Sequence, residues 1–326
     1  MDTVEGFGPA PGTITERPDG DGTRTEAVLA ARAIPISRGR TIVVRPVRPW
    51  DEAGLTNLYD GLDTEDRYLR FFCAYRPQLE FIQHLANPGP REARVVAELH
   101  EPTGTRLIAE AGYSWLANGN GEFAMVVARD WRGWLGPYLL DVVVGLAAAN
   151  RVPNLEAEVL ATNTRMLALL RARGCVLLRH DGWNEFRMMV GTGRHGPTWS
   201  DADDRPRVLV ETPGGRWPLE DAADAAGMRV ITCTGPTQNA SCPLLSGQEC
   251  PLVACADAIV VRNPAPDGRW DAIVRSHSFA HPDIPVVIDH ADARTRAVTI
   301  DDVRLPAFVH FYMATAQRSG TAESGA

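Results

Sequence analysis

The stretch RDWRGWLGPYLLD, residues 129–141, sets an arginine and two glycines directly ahead of an apolar helical run. A loop that leaves a strand and enters a helix presents unpaired backbone N–H groups at the positive end of a helix dipole. Glycine lets such a backbone approach a ligand closely, and a pyrophosphate is a natural guest. Gly133 and Gly136 supply that freedom, and Arg132 adds a permanent cation. The same residues also make a plain tight connection, and their spacing alone leaves both readings open.

A second group of chemically capable residues lies further along. Four of the six cysteines, Cys233, Cys242, Cys250 and Cys255, fall in CTGPTQNASCPLLSGQECPLVAC. Their spacings are C-x8-C, C-x7-C and C-x4-C, and none is the C-x2-C of ordinary zinc sites. Buried core cysteines, a redox-responsive thiol pair and a zinc or iron–sulfur site all fit this pattern. His277, His281 and His290 show no metal-like spacing and read as surface or helix-end residues.

The loop needs a strand before it and a helix after it, and the chain supplies both. TIVVRPV predicts a strand over Thr41–Val47, followed by a helix entered near Asp51 and another after Thr64 as its N-cap. ARVVAELHEPTGTRLIAEAGYSWL predicts a hairpin turning on EPTG. A further strand runs from Glu122 to Ala128, and a helix from about Pro137, suited to a first turn, to Ala149. NLEAEVL is then strand, TRMLALLRARG a helix closed by Gly174, and FRMMVG a strand.

Residues 1–37 are rich in Gly, Pro, Thr and Asp and predict a disordered tail, with a short helix around TEAVLAARA. A first domain spans 38–190, and residues 191–206 have linker composition. Beyond it RVLVE, RVITC, AIVV and IPVVID alternate with helical PLEDAADAAG and RWDAIVRSHSFA. That alternation predicts a smaller doubly wound parallel α/β domain over 207–312, with 313–326 a frayed tail. The whole chain is therefore of the α/β class: a mixed twisted sheet with flanking helices, then a parallel one.

The order of strand, glycine loop, long helix, strand and VLATNTRMLALLRARG resembles the GNAT superfamily of acyl-CoA-dependent N-acetyltransferases. Trp131-Arg132 matches the start of that family's loop and Leu139-Leu140 the helix after it. EVLATN followed by Met166, Leu169 and Gly174 matches its second motif. VVRPVRPWDEAGL and DRYLRFF are similar to the bacterial protein-lysine acetyltransferase branch. The resemblance covers about residues 40–190. DRYLRFF itself reads as packing by Tyr68, Leu69, Phe71 and Phe72, with Arg67 and Arg70 on the polar side.

The resemblance implies acetyl-CoA held by Arg132, Gly133, Trp134, Gly136 and Asn163, and by backbone amides within Met125, Val126 and Val127. It also implies a glutamate on the strand before the loop. The resemblance makes Glu122 the general base there, where the residue alone reads more readily as a solvated carboxylate opening a strand. The acceptor would be a primary amine, of which a protein lysine is the leading candidate. Such an amine near pKa ~10.4 must lose a proton before it attacks. A strand amide would steady the oxygen of the thioester as charge develops. Leu170 occupies the place where many family members carry a tyrosine acid.

The loop departs from the family pattern. Counted from Trp131, the family's glycines fall on Leu135 and Pro137; counted back from Leu139, the loop is one residue short and Trp134 replaces the first. One expected glycine is missing in either case, and Pro137 removes a donor. Each lost charge-assisted bond costs roughly 1.5–3 kcal/mol, about a ten- to hundredfold loss of affinity. Two functions therefore stand: an acetyltransferase governed by a C-terminal Cys-containing module, or a degenerate acetyltransferase fold acting as a redox- or ligand-responsive sensor. The C-terminal region weakly resembles a receiver-like flavodoxin fold, but DAIVVRN ends its third strand on Asn263 where a receiver needs Asp.

Composition narrows the field. Of 326 residues, 44% are hydrophobic and 23% charged, and the formal net charge is −8. That field draws in neither nucleic acid nor an anionic membrane surface. No run nears the ~18 apolar residues of a membrane span. MDTVEGFGPAPG lacks a basic-then-apolar signal, so the expectation is a cytoplasmic protein with reduced cysteines.

Overall fold

In TIVVRP every second side chain is apolar, and the run forms strand β2 (Arg40–Pro46), with Ile42 and Val44 turned into a core. A computed structural model of the chain describes residues 32–36, 39–181, 184–193, 196–200, 204–212, 217–235, 242–262, 269–289 and 298–323. Five residues of the expected disordered tail, 32–36, are strand. Arg32–Ile36 form β1, antiparallel to β2 at the sheet edge, where Pro35 breaks no interior ladder. Arg32 and Ala33 are thus strand, and the rest of the expected TEAVLAARA helix lies outside the described residues.

EPTG turns the chain between β3 (Glu92–Glu101) and β4 (Gly104–Trp115), and β5 (Gly121–Val127) returns antiparallel to β4. Strand β6 (Asn154–Leu160) runs parallel to β5, then pairs antiparallel with β8 (Glu185–Gly191), which pairs with β7 (Val176–Asp181). Helices α1 (Glu52–Asp60), α2 (Thr64–Phe71) and α3 (Leu79–Ala86) follow β2. Leu55, Leu58, Tyr59, Ile82 and Leu85 pack with Val96, Leu107 and Val126 on one face of the sheet. The N-cap of α2 is Asp63 rather than Thr64: its carboxylate accepts from the Asp66 amide at 2.8 Å.

Helix α4 (Leu135–Ala149) begins two residues before Pro137, and α5 (Thr164–Ala172) follows β6. Both cover the opposite face. Leu135, Leu139, Leu140 and Val143 meet Val95, Ala109, Phe123 and Leu155 there.

Strands β9 (Arg207–Glu211), β10 (Arg229–Cys233), β11 (Ala258–Arg262) and β12 (Val286–Asp289) are mutually parallel in the order β10-β9-β11-β12. Their helices are α6 (Glu220–Ala225), α7 (Pro251–Ala254), α8 (Arg269–Ala280) and α9 (Ile300–Glu323). The α7–α8 side packs on Leu209, Ile231 and Ile259; α6 and α9 pack on Val208, Val210, Val230 and Val260. Strand β10 meets β7 antiparallel at Thr232 and Leu177, so the two halves share one twelve-stranded sheet.

The segment between the halves is docked. The Thr198 amide donates to Asn154 Oδ1 at 2.8 Å, Ser200 Oγ bonds the Asn118 carbonyl, and Trp199 Nε1 donates to the Leu252 carbonyl at 2.7 Å. The chain after Tyr312 continues as helix α9 to Glu323, with Pro306 inside it, where a frayed tail was expected. Among the described residues, no helix is long and apolar enough to cross a membrane.

Candidate active site

Strands β5 and β6 are joined at only two rungs, Gly121 with Leu155 and Glu122 with Glu156. Past them the strands part, although β5 stays paired with β4 to Val127 and β6 with β8 to Leu160. The sheet opens there into a wedge with one backbone edge on each wall. The Ala128 amide donates to the Ile108 carbonyl of β4. Alternation then turns the peptide groups of Val126 and Ala124 to β4, and those of Val127, Met125 and Phe123 toward the wedge. Of the three expected amides, Met125 and Val127 therefore line it, whereas Val126 faces away and its side chain is buried under α1.

The glycine loop and Asn163 both stand at the mouth of this wedge, because β5 and β6 run in the same direction. Gly133 has φ +119°, a conformation that side-chain-bearing residues rarely adopt, so this glycine is required by the backbone. Trp134, where one alignment expects a glycine, has φ −80° and ψ −31°. Helical geometry asks for no glycine, which is why tryptophan is tolerated. Its ring lies half-exposed, edge-on to Tyr138. Gly136 is buried in the first turn of α4, facing the Met125 methyl group of β5. The Tyr138 amide makes the first helical bond, to Trp134. The amides of Leu135 and Gly136 precede it and have no acceptor within the helix, and Pro137 has no N–H to offer.

Arg132 is already engaged. Its Nη2 lies 2.7 Å from Asp66 Oδ2 and its Nε donates to the Val127 carbonyl at 3.1 Å. Arg129 pairs with Asp63, the α2 cap. Asn163 caps α5, its Oδ1 accepting from the Met166 amide at 3.2 Å, which leaves the amide NH2 as the part that can face a ligand. Leu170 is fully buried.

Glu122 occupies the last closed rung and is exposed. Its row crosses the sheet as Glu92, Ser114, Glu122 and Glu156, all on one face. Glu156 is buried, its Oε1 accepting from Asn118 Nδ2 at 2.8 Å and Asn120 Nδ2 at 2.6 Å. Asn154 Nδ2 donates in turn to Asn120 Oδ1 at 2.9 Å. On the other side Ser114 Oγ donates to Glu92 Oε1 at 2.7 Å, and His84 Nε2 lies 3.1 Å from the same oxygen. Burial pushes the Glu92 carboxyl up, but the bonds from Ser114 and the Gly89 amide and the charge of Arg94 outweigh it, and its pKa is lowered. Beneath this row, fully buried Glu110 accepts from Tyr59 Oη at 3.0 Å and Arg94 Nη1 at 2.9 Å. Burial, then the Glu110 charge, raises the Tyr59 hydroxyl pKa. Burial opposes the Arg94 charge, yet Glu110 keeps that pKa raised.

In the other half, Cys233, Cys242 and Cys250 pack against the core and Cys255 is exposed. Burial pushes all three packed thiols upward, with the Glu211 charge adding to it. Buried, protonated thiols are poor nucleophiles. Among the described residues no three His, Cys, Asp or Glu side chains are arranged to hold a metal ion. His277 stands in the last turn of α8, as a helix-end residue, but is fully buried there with Nε2 2.9 Å from Glu211 Oε2, while His281 is partly exposed and His290 and Asn263 lie outside the described residues.

The site residues that sequence reasoning missed are Asp63, Asp66, Ser114 and Glu156. Only the i, i+8 match of Ser114 and Glu122 around a short β4–β5 turn offered a local signal.

No protein-family model and no curated protein matches this chain. Among solved structures, the GNAT domain of S. lividans PAT is 21% identical, with TM-score 0.44, over 52% of this chain and 98% of that one. A GNAT superfamily phosphinothricin acetyltransferase from Sinorhizobium meliloti, in complex with AcCoA, is 20% identical with TM-score 0.38, over 45% of this chain and 86% of that one. The cAMP-binding acyltransferase from Mycobacterium smegmatis is 22% identical with TM-score 0.33, over 52% of this chain and 50% of its own.

Proposed function

We propose that this chain is an acetyl-CoA-dependent N-acyltransferase acting on a primary amine of another molecule, a protein lysine above all. The observation that carries the proposal is the wedge between β5 and β6, with Glu122 at its closed end and the Arg132–Gly136 loop at its mouth. An extended pantetheine arm carries amides that suit the Met125 peptide group and the Val127 amide, the Val127 carbonyl being held by Arg132. Its pyrophosphate would then lie at the start of α4, and its thioester near Glu122.

Glu122 takes a proton from the incoming ammonium, directly or through one water. The amine nitrogen attacks the thioester carbon and a C–N bond forms. The Met125 or Val127 amide donates to the oxygen as it gains charge. The C–S bond then breaks and the thiolate takes up, through water, the second proton that the new amide nitrogen sheds, since Leu170 offers none. A thiolate leaves readily without an acid, its parent thiol titrating near ~8.5.

No lysine occurs in the sequence, all 33 Lys-plus-Arg positions being arginine. An acceptor lysine therefore belongs to another molecule. The C-terminal sheet reads as a regulatory module whose second-first-third-fourth strand order is that of flavodoxin-like sheets. Its docking segment bonds Asn154 and Asn118, and Asn118 also holds Glu156 beside Glu122. Two observations favour the sensor reading instead: Pro137 withholds a donor and Asp66 occupies Arg132.

Calorimetric titration of the reduced protein with acetyl-CoA separates the two readings. The expected result is saturable binding with a dissociation constant on the order of micromolar, about −8 kcal/mol. Absence of heat at two temperatures would sink the acyltransferase reading and leave the sensor.

A further inference from the structure

We infer that Asp66 sets the affinity of the glycine loop for a pyrophosphate-bearing acyl donor, by holding Arg132 away from it. The inference rests on the acyltransferase reading and adds a residue that neither loop nor wedge contains.

The pair is mostly out of solvent, with side-chain exposures of 23% for Arg132 and 10% for Asp66 and a contact of 2.7 Å. Little salt screening reaches such a pair. The second commitment of the guanidinium, from Nε to the Val127 carbonyl, fixes its direction. Helix α2 presents two carboxylates to two loop arginines, Asp63 to Arg129 and Asp66 to Arg132. Asp63 also accepts the Asp66 amide, so the cap locks the register of the second carboxylate. A phosphate arriving at the start of α4 thus meets a neutralised cation and a nearby like charge. An adjoining cavity of about 540 Å³, lined in part by Asp66, Ala128, Arg129 and Arg132, gives the pair room to part.

Asp66→Asn keeps the shape and removes the charge. It should tighten acetyl-CoA binding about tenfold, the worth of one charge-assisted contact returned to the ligand. Asp66→Glu should restore the wild-type constant, and adding Arg132→Gln to Asp66→Asn should erase the gain. S-acetylpantetheine, which has no pyrophosphate, should bind wild type and Asp66→Asn equally. If Asp66→Asn does not fold, Asp66→Ser replaces it in every arm. Equal or weaker acetyl-CoA binding by the charge-neutral variant overturns this inference and leaves the acyltransferase reading intact. Failure of wild type and variants alike to bind acetyl-CoA overturns both.

Discussion

Glu122→Gln should lower the rate of acyl transfer about a hundred- to ten-thousandfold while leaving acetyl-CoA affinity unchanged. Glutamine matches the carboxylate in size but takes no proton. Glu122 is well placed to take one, since it sits at the last rung before β5 and β6 part, exposed, between Ser114 and Glu156. The groups proposed to hold the donor, at Met125, Val127 and the loop, lie on the far side of that rung and do not include it. Single-turnover transfer to a lysine-containing peptide, read beside calorimetry, separates the two effects. A variant that transfers at the wild-type rate would remove Glu122 from the chemistry. One that loses acetyl-CoA binding would make it a structural residue.

The second large effect is on folding. Glu110→Ala should cost about 3–5 kcal/mol of stability, because it strands a buried arginine. Arg94 is 9% exposed at its side chain, and Glu110, fully buried, is its ion-pair partner at 2.9 Å. Tyr59 loses its acceptor at the same time. Glu92, 3.9 Å from Arg94, is too distant to replace the contact. Urea unfolding measures the loss, and a shift below about 1 kcal/mol would mean that water reaches the site. The neighbouring Glu92 contributes in a pH-dependent way. Its lowered pKa makes its stabilisation complete above the ordinary carboxylate range and lost as the pH falls through the lowered value.

Local pattern carried the strands well. EPTG turns β3 into β4, and β5, β6 and α5 form where alternation and helical period place them. It failed where two signals conflicted or cancelled. Proline suits neither an interior strand nor a helix interior, yet the edge strand β1 accepts Pro35 and α9 continues through Pro306. Helix α3 and strand β7 open close beside Pro77 and Gly174, which mask the start of their periods. The glycine loop was legible because its residues are adjacent in sequence. Its clamp was not, since Asp66 and Arg132 lie 66 positions apart and meet only through the fold. Glu156 was hidden for the same reason: a strand glutamate in NLEAEVL becomes informative only when its rung partner is known.

The shared sheet bears on how the molecule can be divided. Released at residue 190 or so, the first half would end on a naked β7 edge, with the peptide groups that now face β10 unpaired. Val176, Leu178 and Met189, now packed with Leu209, Ile231 and Leu252, would lie open beside it. An open strand edge beside exposed apolar side chains recruits other chains. The N-terminal fragment is thus the one poised to aggregate, and the C-terminal half acts as its built-in edge protector.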